Sequence, residues 1–478
     1  MGNELTKKYG LLTAIAMVVG IVIGSGVFFK AQNILNITEG NMLLGTIAWI
    51  VGGIVMIVCA FCFATLATKF EKVNGLVDYA EATCGKKYAY YIGWFITTIY
   101  YPAMTSVLAW VSARYTLVIF GQMDPTTGTC LALAGFYLCL SYGMNALSPI
   151  IAGKFQVSTT VIKLIPLALM AVVGTIYGLV FTPEGASAPL LISNFSVEGN
   201  NSMGALFAAI VATVFAYEGW IIATSINSEI KDAKKNLPIA LTLGTAIVMI
   251  VYLVYYIGVA GGAPVASLQA DGATIAFHNI FGNVFGTILN VFIAVSCLGT
   301  LNGLMLACTR GLYALSSRKE GPKPEMFAVV DPVTNMPNNA AIFGLLVAAA
   351  WLLYFFCANL GNTFVAQYDA ATANAFIKTI GTLNAETGMI SVNWFGFDSS
   401  EIPIVTVYAL YLPIFFKMMT FKEFSVFKRI IMPLLAIVCS LFMVFAAVYA
   451  HKWGVLFYMI VFAVIMIIGG ICRNKENA

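Results

Sequence analysis

Long apolar runs, separated by short polar stretches, dominate this chain. A helix that crosses a membrane needs about 20 predominantly apolar residues. Measured against that length, the runs predict twelve spans: 11–37, 42–68, 89–120, 129–148, 156–181, 203–228, 238–262, 282–314, 340–359, 402–418, 430–449 and 453–472. The fold class that follows is an all-α integral membrane protein, with lipid as its surroundings. Asn362 to Ser400 breaks the pattern. It is long, mixed and weakly apolar, and it reads as an extracellular loop with room for a surface helix over Ala366 to Leu383.

The charges follow the same division. With the N-terminus inside, Lys7, Lys8, Lys86, Lys87, Lys234, Lys235, Arg318, Lys417, Lys428 and Arg473 are among the many cations that fall on the inner side. The outer side receives Lys30, Lys378 and Lys452. That bias obeys the positive-inside rule and puts both termini in the cytoplasm of a multi-pass cell-membrane protein. A thirteenth span within 362–400 would move Lys417 to Arg429 outside.

Composition removes other classes. The chain is 60% hydrophobic and 10% charged, against about 25% charged in soluble proteins. Ten cysteines are scattered without paired CxxC spacing, which argues against a zinc site or a disulfide framework. The two histidines, His278 and His451, fall in predicted loops or at helix ends. No metal, cofactor or nucleic-acid partner is expected. The short lead before the first span does not read as a cleavable signal peptide.

Three spans carry unusual residues at depth. In span 1, Gly24-Ser25-Gly26 interrupts the apolar run. Glycine costs a helix about 1 kcal/mol relative to alanine. Unwound backbone inside a bilayer is tolerated where it lines a cavity or is buried in protein. An opened helix offers N–H groups to a carboxylate and carbonyls to an ammonium. The plainer alternative is a small-residue helix-packing seam. Span 6 places Glu218 beside Gly219 within Val214-Phe215-Ala216-Tyr217-Glu218-Gly219-Trp220. An ionisable residue at that depth usually faces a cavity or a partner. In span 5, Lys163 is either a lysine snorkelling to the interface or an internal ammonium bonded to carbonyls of the broken span 1. Breaks in spans 1 and 6 fit two five-span halves with a midplane site. The halves would be 1–181 and 203–418, with 430–478 holding the last two helices and a tail.

Four motifs, in order along about two-thirds of the chain, carry a family resemblance. They are Gly24-Ser25-Gly26-Val27-Phe28, Gly153-Lys154-Phe155-Gln156 leading to Lys163, Phe215 to Trp220 with Asn236-Leu237-Pro238, and Ser296 to Gly303 running on to Arg310. Together they resemble the amino acid–polyamine–organocation superfamily, in the L-type amino acid transporter-like branch of bacterial type. The resemblance implies a LeuT-like fold: a 5+5 inverted repeat with helices 1 and 6 broken. It implies that the Ser25 and Gly26 amides hold a substrate carboxylate. The carbonyls of Val22, Phe215 and Glu218 would take the amine, with Ile23, Gly24, Ala216 and Tyr217 completing the site. The Phe215 ring would close over the substrate, and Lys163 would stand where other members hold sodium.

Departures bear on substrate choice. Glu218 stands where many neutral-substrate members have glycine, Ser228 replaces a glutamate, and Ala233 replaces a proline. Cys130 lies near the place of the cysteine that joins eukaryotic members to a glycoprotein partner, but it opens span 4, so no obligatory protein partner is expected. The expectation is a sodium-independent secondary transporter of small L-amino acids, neutral by preference, working as an exchanger or a proton symporter. Cationic amino acids or polyamines are the alternative substrates. A channel or a sensor is disfavoured, with no ring of repeated polar residues and only a short tail after span 12. An enzyme is disfavoured because Glu218 and Lys163 alone lie deep, in different spans.

Overall fold

In hydrocarbon a backbone must satisfy its own hydrogen bonds, and the apolar runs accordingly become helices. The computed structural model describes residues 10–70, 75–122, 124, 126–147, 149–221, 230–332, 336–384 and 387–473. The first run forms two helices, α1 (Leu11–Val22) and α2 (Gly26–Ile37), bent by 51°. Helix α3 (Met42–Lys69) starts on Asn41, whose side chain accepts from the Leu44 amide. Next come α4 (Leu76–Cys84), α5 (Lys86–Phe95) and α6 (Tyr101–Ile119), the last two joined by a π-helical turn over Ile96–Tyr100. After α7 (Gly128–Leu147), one interrupted run comprises α8 (Pro149–Ile162), α9 (Leu164–Leu169) and α10 (Thr175–Val180). A short α11 (Leu190–Phe195) precedes α12 (Met203–Tyr217).

The second part of the chain repeats this style. It holds α13 (Ala233–Ala260), α14 (Val265–Asp271), α15 (Ala273–Ser316), α16 (Pro324–Phe327) and α17 (Asn338–Phe355). Helix α15 bends at Gly282, whose φ is 76°. Strand β1 (Val365–Asp369), α18 (Ala375–Ile380), β2 (Thr382–Asn384) and β3 (Met389–Asn393) follow, and then α19 (Ile402–Met418), α20 (Met432–His451) and α21 (Trp453–Cys472). Among the described residues, seven helices are long and apolar enough to cross a membrane, or eight with the bent α1–α2 pair as one span. Leu164–Val180, Met203–Tyr217 and Ile402–Met418 are shorter apolar helices.

Four expectations need correction. Residues 362–400 are not simply a loop with a helix. They form an antiparallel sheet of order β1-β3-β2, with Val365 opposite Asn393, and a helix confined to α18. The fold is therefore helical with one small sheet rather than all-α. The physical reason is a period-two pattern: Ile390 and Val392 of β3 are buried against Ile377, while their neighbours are half-exposed. The helical run of span 5 starts at Pro149, earlier than 156, and that of span 6 stops at Tyr217. His278 lies inside the first arm of α15, not in a loop. Ser228 and Glu229 fall outside the described residues.

Helix α13 packs along α3 and α1, and α6 packs along α15. The aromatic centre is Trp49, Tyr217, Tyr252 and Tyr256, all buried. Leu441, Val448, Leu456, Ile460 and Ile467 on α20 and α21 face outward instead. A chain that exposes such residues along whole helices is solvated by lipid.

Candidate functional site

The break between α1 and α2 lies at the centre of the bundle. Helix α1 ends at Val22 and helix geometry resumes at Gly26. Helix α12 crosses at that point. A Cβ on Gly26 would sit 2.8 Å from Ala216 Cα and 3.1 Å from the Phe215 ring. Glycine is required there because two backbones touch. A Cβ on Gly24 would meet only Thr300, at 3.7 Å, an ordinary contact.

Helix α12 stops in turn at Tyr217. Glu218 is extended (φ −70°, ψ 160°) and Gly219 takes φ 106°, a conformation open to glycine. Stopping there frees the last carbonyls of α12, just as stopping at Val22 frees those of α1. The start of α2 contributes free amides beside them. Three helix ends thus converge, with amides and carbonyls facing a shared space.

Side chains take up part of this freed backbone. The Lys163 ammonium, on a turn between α8 and α9, donates to the Gly20 carbonyl at 2.8 Å and is 5% exposed. The Gly24 amide donates to the Tyr252 hydroxyl at 3.3 Å, and that hydroxyl donates to the Val22 carbonyl at 3.1 Å. The Ser25 hydroxyl is buried beside the Cys297 thiol.

A cavity of about 640 Å³ opens at this convergence. Its wall includes Val22, Gly24, Ser25, Gly26, Phe215, Ala216 and Glu218, together with Lys163 and Thr300. Ile23 and Tyr217, expected in the site, are not on its wall. Tyr217 turns away because its hydroxyl donates to the Trp49 carbonyl at 2.8 Å. The Glu218 carboxyl is buried, with the Tyr100 hydroxyl and the Gly219 amide as the donors beside it. Tyr100, the last residue of the π-helical turn, and Tyr101 after it complete the wall, and such turns recur at functional sites.

The two ends of the cavity differ. One runs along α1 past Met17 and Ala16 to Thr13. A smaller cavity of about 230 Å³ shares Tyr100 and Tyr101 with it and reaches Arg318, which pairs with Asp78 at 2.5 Å and Glu81 at 2.8 Å. The other end is closed by Phe29 and Phe215, whose rings meet edge to face at 5.1 Å. Lys30 lies 5.5 Å from both ring centres and pairs with Glu401. Its ammonium also donates to Ser400 at 3.3 Å, and His451 Nε2 lies 3.2 Å from the second Glu401 oxygen. Lys30 counts in the sequence as an outer-side cation, yet it is only 2% exposed. Arg114, the other cation near this end, donates to Gln32 at 2.8 Å.

The contacts of Tyr252 and of the Lys30–Glu401–His451 group are absent from a sequence reading, since Val22 lies 230 positions from Tyr252 and Glu401 lies 371 from Lys30. The adjacent Tyr100-Tyr101-Pro102 is visible as a signal, but its plain reading is aromatic packing. Tyr252→Phe removes two hydrogen bonds from the break, each worth about 1 kcal/mol. The expected result, by equilibrium binding on purified protein, is about thirtyfold weaker substrate affinity. Unchanged affinity would show that the break is held by its packing alone.

Comparison with known proteins adds relatives to this geometry. The profile described as amino acid permease matches residues 9–471. The serine/threonine exchanger SteT of Bacillus subtilis (strain 168) is 30% identical over 354 residues, which is 73% of this chain and 77% of that one. The large neutral amino acids transporter small subunit 2 of Mus musculus is 29% identical over 350 residues, 72% of this chain but 64% of that protein. The b(0,+)-type amino acid transporter 1 of Mus musculus is 28% identical over 359 residues, covering 73% and 71%.

Proposed function

The chain belongs to the amino acid permease family, and from that premise we propose that it is a sodium-independent secondary transporter of small neutral L-amino acids. The observation that carries the proposal is the convergence of three helix ends on one cavity. Ser25 and Gly26 amides at the start of α2 suit a carboxylate. The carbonyls of Val22 and of the end of α12 suit an ammonium. The Lys163 ammonium supplies a fixed positive charge on the Gly20 carbonyl, in the role another transporter gives to sodium. Relatives named as a serine/threonine exchanger and as a large neutral amino acids transporter support this substrate class.

The same proposal covers the architecture. Twelve spans in a LeuT-like 5+5 inverted repeat, divided at 1–181 and 203–418, are supported by breaks in α1–α2 and after α12, the first span of each half. Cytoplasmic termini follow from the placement of the cations. The cavity arm along α1 then leads to the cytoplasm, and the closed Phe29–Phe215 end faces outward. Rocking of one helix group against the other would open that end and close the first. The proposal includes no obligatory partner subunit, a reading supported by the burial of Cys130 in α7.

A second reading rests on Glu218. A buried carboxyl on the cavity wall with no ion-pair partner among the described residues is matched by a second ammonium or a guanidinium on the substrate. Cationic amino acids or diamines then become substrates. Uptake into proteoliposomes preloaded with unlabelled amino acid decides between these readings. Labelled alanine, serine, leucine, arginine and putrescine are offered without sodium, with and without a proton gradient. Uptake of serine or alanine that requires internal amino acid is the expected result. Absence of uptake for every compound would overturn the transporter assignment. For the second reading, Glu218→Gln lowers arginine or putrescine uptake more than about tenfold and leaves serine uptake intact.

A further inference from the structure

We infer that the end of the bundle where α20 turns into α21 carries a binding site for a phospholipid with a primary-amine headgroup. A polar cavity of about 370 Å³ and an apolar groove of about 730 Å³ adjoin there. They share Ile380, Ala450, Lys452 and Trp453. An amphiphile is the chemical class that needs both. A free amino acid would fill the cavity and leave the groove empty, and an alkane would do the reverse.

The polar half is matched to an amine beside a phosphate. Asp398 uses one oxygen, Oδ1, to cap the start of α19, accepting from the Ser400 amide at 2.7 Å, the Ser400 hydroxyl at 2.6 Å and the Glu401 amide at 3.0 Å. Its Oδ2 has no hydrogen-bond partner among the described residues. Asn393 donates through Nδ2 to the Ala358 carbonyl at 2.9 Å, while its buried Oδ1 has no partner among the described residues. Two acceptors therefore await an N–H donor. A quaternary ammonium has no N–H and fits them poorly.

Lys452 supplies the opposite charge at the junction of the two spaces. It is exposed and makes no ion pair among the described residues. Its φ of 44° is a conformation that glycine would adopt at less cost, so a lysine is held there against backbone strain. The groove continues from it between Met203 and Ala208 of α12 and Val448 and Leu456 of α20 and α21. Trp453 and Tyr449 flank it, residue types that collect at the membrane–water boundary. In this placement the phosphate meets Lys452, the amine meets Asp398 and Asn393, and an acyl chain lies in the groove. The headgroup also touches His451, whose Nε2 is 3.2 Å from Glu401, the partner of Lys30 at the closed end of the transport cavity.

The test uses tryptophan quenching in vesicles of the full-length protein. The Trp453 signal is defined as the fluorescence lost in Trp453→Phe. Phosphatidylethanolamine brominated on its acyl chains quenches that signal more strongly than brominated phosphatidylcholine at equal mole fraction. Lys452→Gln raises the concentration needed for half-quenching about fivefold. Ala450→Phe fills the wall common to both spaces and removes the headgroup preference. Equal quenching by the two lipids, or parent-like behaviour of both variants, means annular lipid contact only and overturns the site. The readout requires no transport, so it fails or succeeds independently of the substrate assignment.

Discussion

Replacing Gly26 with alanine weakens substrate binding about a hundredfold, while the same change at Gly24 leaves it nearly intact. The two glycines flank Ser25 and look equivalent in the sequence. Their surroundings differ. The added methyl at position 26 lands 2.8 Å from Ala216 Cα and 3.3 Å from the Phe215 carbonyl, and neither is the loose end of a side chain. Helix α12 must shift by several tenths of an ångström, moving the carbonyls proposed to take the amine. Displacements approaching 1 Å at such a site cost about a hundredfold. At position 24 the methyl meets Thr300 Cγ2 at 3.7 Å, and φ there is negative, so alanine fits. Binding isotherms on both purified variants check the contrast. Equal affinities would remove the α2–α12 contact from the site, and folding is monitored by thermal unfolding of each variant.

Lys163→Met lowers transport more than about tenfold and leaves the protein folded. Methionine keeps the length and apolar stem of lysine but removes the ammonium that donates to Gly20 at 2.8 Å. A hydrogen bond from a charged donor contributes about 1.5–3 kcal/mol, or more than tenfold in an equilibrium. Here it orders the last turn of α1, two residues before the break. The expected result in proteoliposomes is a loss of exchange beyond about tenfold with unchanged expression and monodispersity. A lysine that merely reached the interface would tolerate methionine, and retained transport would establish that role. Ammonium and methionine differ in one further way: the variant leaves a carbonyl without its donor in a buried setting.

These two residues illustrate different kinds of legibility. Lys163 stands out in any reading of the sequence, as a single cation in an apolar helix. What it touches does not. The sequence leaves two placements open, at the interface or at span 1, and they differ by a rotation of α8–α9 that hydropathy does not encode. Gly26 is visible as half of a Gly-Ser-Gly break, yet its special status belongs to Ala216, 190 positions further along the chain. The residues 362–400 show the same limit for backbone. Strands β1 and β3 are each five residues long, and their pairing bridges some 24 residues. Weak alternation over so few positions is lost beside helical spans of 20 residues or more.

The sequence by itself determined the membrane class, the run of apolar helices, the charge bias between the two sides, and the two places where a deep helix stops. Each is a local property: hydropathy over a window, or the inability of glycine beside a polar residue to hold a helix in hydrocarbon. Only the tertiary structure decided which groups occupy the opened backbone. Tyr252 on the Val22 carbonyl, Lys30 on Glu401 with His451 behind it, and Tyr217 turned to Trp49 all join residues 168 or more positions apart, apart from the 50 between Glu401 and His451. Such pairs follow from how helices cross, and helix crossing is set by packing among many side chains at once.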